Sequence, residues 1–384
     1  MEEGNFLLYF FLIFASAKIM GELCTRIKIP AIIGELLAGI ILGSHMLGVI
    51  DSSNHVLMSF AEMGVIFLMF HVGLEIRVKD LFEVGRTAVL VGIMGVLVPL
   101  ALGFSAMMAL KYRLVESLFV ATAILATSVG ISVKVLQDMG LIRHRVAYIV
   151  LGAAVFDDIL ALIILSVVKG LARGEFQTLE FILLVVESLA FVGFLLSWGP
   201  RLAFRTKSWI SRLNIPEGPF VLSVILCLGL AELADVIGLA AIIGSFMAGI
   251  VIDELAGIYD LENKVKYVNE FLLPFFFVMM GAQLDPSVFL RLDLLILVFI
   301  ITFIAALSKL AGSALASWKE SLKVRIQTGI CMIPRGEVGI IVALIALSSE
   351  SISQEMYAVV LAMSMLTTLI TPPLIMLAFK NEKV

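Results

Sequence analysis

The chain has 384 residues, 61% of them hydrophobic and 15% charged, with a mean hydropathy of +1.10. Soluble domains carry about 25% charged residues, so this composition excludes a water-soluble globular protein and leaves an all-α polytopic membrane protein. The formal net charge of −4 says little, because the distribution of charge matters more than its sum, and no nucleic-acid partner is expected. The three cysteines (Cys24, Cys227, Cys331) lie in apolar stretches without CxxC spacing, and the four histidines show no metal-ligand spacing. Neither a disulfide framework nor a cofactor is expected.

Hydropathy predicts thirteen spanning segments, at about 6–24, 30–49, 56–74, 86–110, 115–136, 146–169, 178–200, 217–235, 237–253, 268–284, 290–317, 324–348 and 355–378. The first can insert by itself, so no cleavable leader is expected. Loops are short, and no soluble domain is expected after the last segment. Loops following odd-numbered segments, with the C-terminal tail, hold 18 of the 27 basic residues; the opposite loops hold five and the spans four. By the positive-inside rule the C-terminus is cytoplasmic and the N-terminus outside.

An internal repeat runs through the chain. Ile33-Gly-Glu-Leu-Leu-Ala-Gly-Ile40 returns as Ile243-Gly-Ser-Phe-Met-Ala-Gly-Ile250, offset by 210. Gly73 matches Gly281 at 208, and Val129-Gly-Ile131 matches Val338-Gly-Ile340 at 209. A shift of seven segments is odd, so the second copy is inverted. Inverted repeats accompany alternating-access transport, with the binding site near mid-membrane at the repeat interface.

The chemistry concentrates in segments 5, 6, 11 and 12. Segment 6 places Asp157 and Asp158 in the middle of the apolar run 147–165. A carboxylate at that depth costs about 3 kcal/mol on insertion scales and usually marks an ion or proton path. Neighbours on a helix point about 100° apart, so if one faces a water-filled cavity the other faces protein and needs a partner. Lys309, in Ala305-Ala-Leu-Ser-Lys-Leu-Ala-Gly-Ser-Ala314, is too far from either end of segment 11 to snorkel, so it needs an anion or loses its proton. Either aspartate is a candidate. Segment 5 carries Ala126-Thr-Ser-Val-Gly-Ile-Ser132 and segment 12 carries Met332-Ile-Pro-Arg-Gly-Glu-Val-Gly339. Pro334 removes a backbone donor and the glycines loosen the chain, so both segments are expected to unwind at mid-membrane. Arg335 and Glu337 could balance the partial charges at such a break, and Thr127 and Ser128 could satisfy freed backbone groups or ligate a cation. Glu35 is a further acid that could touch an ion path, while Lys18 and Lys134 are expected to reach the interface.

The Phe156-Asp-Asp-Ile159 motif, with Ala126-Thr-Ser-Val-Gly130, Pro334-Arg-Gly-Glu-Val-Gly339, Lys309 and Gly34-Glu-Leu-Leu-Ala-Gly39, resembles the second branch of the monovalent cation:proton antiporters, the prokaryotic sodium/proton type. The resemblance spans the chain and implies thirteen helices with two crossed discontinuous ones, segments 5 and 12. It implies an ion-transport core of helices 4–6 and 11–13 (residues 85–170 and 289–384). A scaffold of helices 1–3 and 8–10 (1–84 and 216–288) would form a homodimer in the lipid bilayer, and linker helix 7 (171–215) would join the two. It further implies that Asp158 carries the ion, holding Na⁺ transiently, and that Asp157 pairs with Lys309. Relatives with two aspartates and this lysine are electrogenic, and glutathione-gated potassium relatives carry a soluble C-terminal domain not found here. The expected activity is exchange of Na⁺ or Li⁺ for H⁺ across the cell membrane, serving pH homeostasis. K⁺/H⁺ exchange is the alternative within carriers. A cation channel fits less well with an inverted repeat and two broken helices. An intramembrane aspartyl protease is disfavoured because its aspartates sit on separate helices with a Gly-x-Gly-Asp context, so no enzyme is expected.

Overall fold

The computed structural model describes residues 6–27, 29–52, 54–173, 178–210, 215–380 and 382, and among these the chain is helical almost throughout. In chain order the helices are α1 (Phe6–Arg26), α2 (Ala31–Leu42), α3 (His55–Glu75), α4 (Val78–Ala109), α5 (Leu114–Leu125), α6 (Val129–Asp138), α7 (Arg145–Arg173) and α8 (Thr178–Ile210). They continue as α9 (Gly218–Ile237), α10 (Ala241–Val251), α11 (Asp253–Tyr259), α12 (Leu261–Ala282), α13 (Leu292–Ala316), α14 (Leu322–Cys331), α15 (Glu337–Ser348) and α16 (Gln354–Ala378). Among the described residues ten helices are long and apolar enough to cross a membrane, and Ala31–Leu42, Ala241–Val251 and Val338–Ser348 are shorter apolar ones.

Local chemistry sets several boundaries. The Asn54 side chain accepts from the backbone N–H groups of Val56 and Leu57 and starts α3, and Ser353 caps α16 through the N–H of Met356. Gly238, at φ +91°, ends α9: its N–H reaches Asp235 O and that of Leu239 reaches Ala234 O, a closure that favours glycine. Two segments are shorter than their apolar runs. The run through 49 ends as helix at Leu42 because the chain folds back, closing a β-bridge between Gly43 and Ile50. The run 237–253 holds only the eleven residues of α10.

The helices pack in two groups. Helices α1, α2, α3, α9, α10 and α12 lie against one another, while α4, α7, α13 and α16 surround the half-length helices α5, α6, α14 and α15. Helix α8 touches α7 on one side and α9, α10 and α11 on the other. Close approach in the first group depends on small residues. A Cβ on Gly39 would lie 2.0 Å from Val278 O and 2.9 Å from the Gly281 Cα, and one on Gly249 would lie 2.4 Å from Phe70 O and 2.7 Å from the Gly73 Cα.

Candidate functional site

Both interruptions anticipated in the sequence are present. Helix α5 stops at Leu125, residues 126–128 are extended, and α6 restarts at Val129. Helix α14 stops at Cys331, and α15 restarts at Glu337 after Pro334. The two breaks meet. The Ser128 N–H donates to Pro334 O at 2.9 Å, and the Ser132 hydroxyl donates to Cys331 O at 2.6 Å. A Cβ at Gly336 would fall 2.5 Å from Ser128 Oγ, so this approach requires glycine. Backbone groups freed by unwinding are thus satisfied by the opposite break rather than left bare in an apolar setting.

Arg335 is fully buried at this junction. Its Nη1 donates to Met332 O (3.1 Å), the carbonyl at the C-terminal end of α14, and its Nη2 to Ala305 O of α13 (2.7 Å). The guanidinium therefore sits at the C-terminal end of α14, where the helix dipole is negative. Two threonines of α16 hold its backbone: its N–H donates to Thr367 Oγ1 (3.1 Å), and its carbonyl accepts from Thr368 Oγ1 (2.8 Å). The side chain of Glu337 lies outside the described ones. Thr127 is buried, its hydroxyl 3.5 Å from Leu125 O, and Ser128 is half-buried.

Helix α7 packs against α5, α6 and α14 and carries both aspartates. Lys309 Nζ lies 2.5 Å from Asp157 Oδ1, and both residues have lost all contact with solvent. Asp158, the next residue, is also buried. Asp157 Oδ2 has no hydrogen-bond partner among the described residues. Helix α4 closes the pair's third side, since a Cβ at Gly95 would lie 3.4 Å from Lys309 Nζ and 3.6 Å from Asp157 Oδ1. On α13, Ser308, Gly312 and Ser313 are buried, with Gly312 against Met94 O.

Sequence reasoning passed over three features. Gly95 belongs to a Gly92-x-x-Gly95 pair on α4 whose helical spacing hinted at a close contact, and Thr367-Thr368 is a polar step inside an apolar helix. The third is Gln137, whose Nε2 lies 2.9 Å from His71 Nδ1 and 2.7 Å from Glu75 Oε1, tying α6 to α3. Glu35 is buried with Lys18 Nζ at 3.9 Å; Lys18 is half-exposed, and Lys134 turns to Asp138 at 2.6 Å. The three cysteines are buried and unpaired.

Two cavities are lined by helices that flank the breaks, a polar one beside α6 and a largely apolar one beside α15. One, of about 560 Å³, is lined by His71, Glu75, Lys134, Gln137, Asp138 and Glu270 among others. The other, of about 470 Å³, is lined by Glu62, Gln283, Asp285 and Tyr357 together with Met280 and Leu361. A small void continues from its Met280, Gln283, Ile340 and Leu361 wall to Arg335 and Gly336.

Residues 11–378 match the family described as sodium/hydrogen exchanger, transmembrane. The chain belongs to the sodium/hydrogen exchanger family. Its members are transporters, not enzymes. The high-affinity Na⁺/H⁺ antiporter NhaS3 of Synechocystis is 30% identical to this exchanger over 98% of the chain and 90% of that protein. A Na⁺/H⁺ antiporter of Enterococcus hirae is 32% identical over 97% of both. The fold also superposes on the sodium proton antiporter MjNhaP1 from Methanocaldococcus jannaschii with a TM-score of 0.69, covering 98% of this chain and 96% of that one at 19% identity.

Proposed function

We propose that this exchanger moves Na⁺ or Li⁺ against H⁺ by alternating access, electrogenically, with Asp158 as the carboxylate for which the two ions compete. The observation that carries the reading is the fully buried Asp157–Lys309 pair, 2.5 Å apart, with a second buried aspartate at the next position. Lys309 already neutralises Asp157. Asp158, the next residue and pointing about 100° away, is the acid to which the family resemblance assigns the cargo. Deprotonated, it offers hard oxygen to a dehydrated alkali ion, supplemented by hydroxyl and carbonyl oxygens at the Thr127–Ser128 break. Protonated, it cannot. Only a neutralised site crosses the low-dielectric barrier cheaply, so the cycle exchanges one ion for the other.

The two packing groups support a core (α4–α7 with α13–α16) that moves against a scaffold (α1–α3 with α9–α12), joined by α8. The inverted repeat finds support in the glycine contacts. Gly39 and Gly249 correspond at an offset of 210, and Gly73 and Gly281 at 208. Gly39 touches Gly281, and Gly249 touches Gly73, the reciprocal contacts expected of a pseudo-two-fold axis. Ten long spans and three shorter apolar helices are compatible with thirteen crossings, α5–α6 and α14–α15 each forming one crossed, discontinuous unit. Ion pairs favour a common side for the basic loops: Arg145–Glu320, Lys264–Glu217, Arg143–Glu262 and Lys323–Glu382 link them to one another, whereas Arg291–Glu355 and His45–Asp285 link the opposite loops. We assign the basic side to the cytoplasm of the cell membrane and the working unit to a homodimer through the scaffold. Moving one charge through 100 mV supplies about 2.3 kcal/mol, roughly a forty-fold ion gradient.

Proteoliposomes with a clamped membrane potential test the proposal. Asp158→Asn is expected to abolish Na⁺-dependent proton movement while the protein remains folded. Exchange persisting in that variant would remove Asp158 from the carrier role.

A further inference from the structure

A further cavity lies at the α3–α4 junction and shares Glu75, Arg143 and Glu262 with the cavity beside α6. It measures about 880 Å³, within the range of small-molecule sites. Its basic lining comes from separate parts of the fold: Arg77 at the α3–α4 junction, Lys79 in the first turn of α4, Arg143 in the α6–α7 loop and Arg201 on α8. Three carboxylates, Glu75, Asp253 and Glu262, share the lining with these four cations and leave it basic by one charge. Among the described residues Arg77, Lys79 and Arg201 form no ion pair, Glu75 accepts from Gln137, and Arg143 meets Glu262 only at 3.9 Å. The Arg201 guanidinium donates instead to the carbonyl of Ser197, one turn back on its own helix. Arg77, Lys79 and Arg201, exposed and outside any ion pair among the described residues, face one concavity, and an anion entering it is attracted by all three.

The depth of the cavity and its apolar wall narrow the choice of anion. Phe82 and Arg201 fall inside candidate membrane spans, while Arg77, Lys79 and Arg143 fall just beyond them. The cavity therefore straddles the level at which an apolar span gives way to a polar loop, the depth of lipid headgroups. Phe82 and Ile258 line it and are 62% and 50% exposed, so its rim is apolar and open. Trp198 on α8, 61% exposed, adds an aromatic of the kind that anchors at this interface. A soluble anion would use the cations and leave this rim bare. A phospholipid uses both. Pro200 of α8 also lines the cavity. Lacking an N–H, it leaves the Leu196 carbonyl without its helical donor, an acceptor for a headgroup hydroxyl.

We propose that this cavity, between α4, α8, α11 and the α3–α4 junction, is a binding site for the headgroup of an anionic phospholipid, with its phosphate held by Arg77, Lys79 and Arg201 and its glycerol and upper acyl carbons against Phe82 and Ile258. The site is independent of which ions the protein exchanges. Basic pockets between spans on the cytoplasmic side bind such headgroups elsewhere by the same electrostatics.

Native mass spectrometry of the full chain in mild detergent, titrated with phosphatidylglycerol, phosphatidylethanolamine or phosphatidylcholine, tests this. The folded state of each variant is checked by gel filtration and thermal unfolding. The wild type should retain phosphatidylglycerol in preference to the other two. The double variant Arg77→Ala/Arg201→Ala should bind it at least ten-fold more weakly, and Arg201→Lys should keep most of the affinity. Arg205→Ala/Lys319→Ala, which removes two exposed cations that do not line the cavity, should bind as the wild type does. Equal retention of all three lipids, or unchanged binding by the Arg77→Ala/Arg201→Ala protein, would overturn the proposal. So would stabilisation by inorganic phosphate or glycerol 3-phosphate matching that by phosphatidylglycerol, which would make the ligand a soluble phosphate.

Discussion

Lys309 and Asp157 illustrate what a buried ion pair costs and what it does. Each would be several kcal/mol out of place alone, and their attraction offsets that only because the geometry is close and dry. Lys309→Ala should therefore destabilise the protein by about 3–5 kcal/mol, seen as a lower unfolding temperature in detergent, because it leaves a buried carboxylate without its cation. The double variant Asp157→Leu/Lys309→Met should recover most of that stability, since apolar pairs of similar volume replace buried ion pairs at little cost. It should still lose electrogenic transport. Stability that stays low in the double variant would argue that the pair is not the cause. At this scale the sequence was informative wherever a charge had to be explained. A lysine amid alanine, serine and glycine at mid-span demands an anion, and the aspartates were the candidates in hand. Arg335 was legible as a charge at a helix break, but its bonds to Met332 O, Ala305 O, Thr367 and Thr368 were not. Those depend on how far the backbone unwinds and which carbonyls it bares, and no residue type signals that.

The two broken helices hold each other open. Ser128 N–H to Pro334 O and Ser132 Oγ to Cys331 O replace helical bonds that neither segment can make for itself. Gly336→Ala would press a methyl to within 2.5 Å of Ser128 Oγ. Separating the breaks should cost about 1–3 kcal/mol, as overpacking does elsewhere. Na⁺-driven exchange should fall more steeply than the unfolding temperature, because the ligands move before the fold fails. In the other helix group, Gly39→Ala would set its Cβ 2.0 Å from the carbonyl of Val278, and it should lower stability without a selective effect on ion affinity. Proline, glycine and charge at Met332–Gly339 marked one break plainly, and Thr127-Ser128-Val129-Gly130 the other less so. The shortness of α2 and α10 was hidden because the apolar run continues past the last helical turn. In α2 the helix ends at Leu42 and the rest of the run closes a bridge between Gly43 and Ile50. Hydropathy measures what lipid or protein will accept, not where the chain turns.

Across the whole molecule, charge sorts by end. Arg145 bonds Glu320 through two nitrogens, at 2.6 and 3.0 Å, and holds its carboxyl below the ordinary carboxylate range; Lys323, with Gln327, does the same for Glu382. A depressed carboxyl contributes stability above its unfolded-state pKa and loses it as pH falls through its folded-state pKa. Acid should therefore loosen these basic loops first, and Arg145→Ala should flatten the acid limb of a stability–pH profile measured on the folded protein. The pairs are partly exposed, so the effect is small and salt-sensitive. The chain belongs to the exchanger family, and the cycle we propose for it shares a single buried carboxylate between a metal ion and a proton. The most direct test is equilibrium binding of ²²Na⁺ to the purified protein as a function of pH. Apparent affinity should fall about ten-fold for each pH unit below the carboxylate's own titration, with one proton released per ion bound, and both effects should vanish in Asp158→Asn. Sodium affinity that stays level through that titration, with no proton released, would contradict the account.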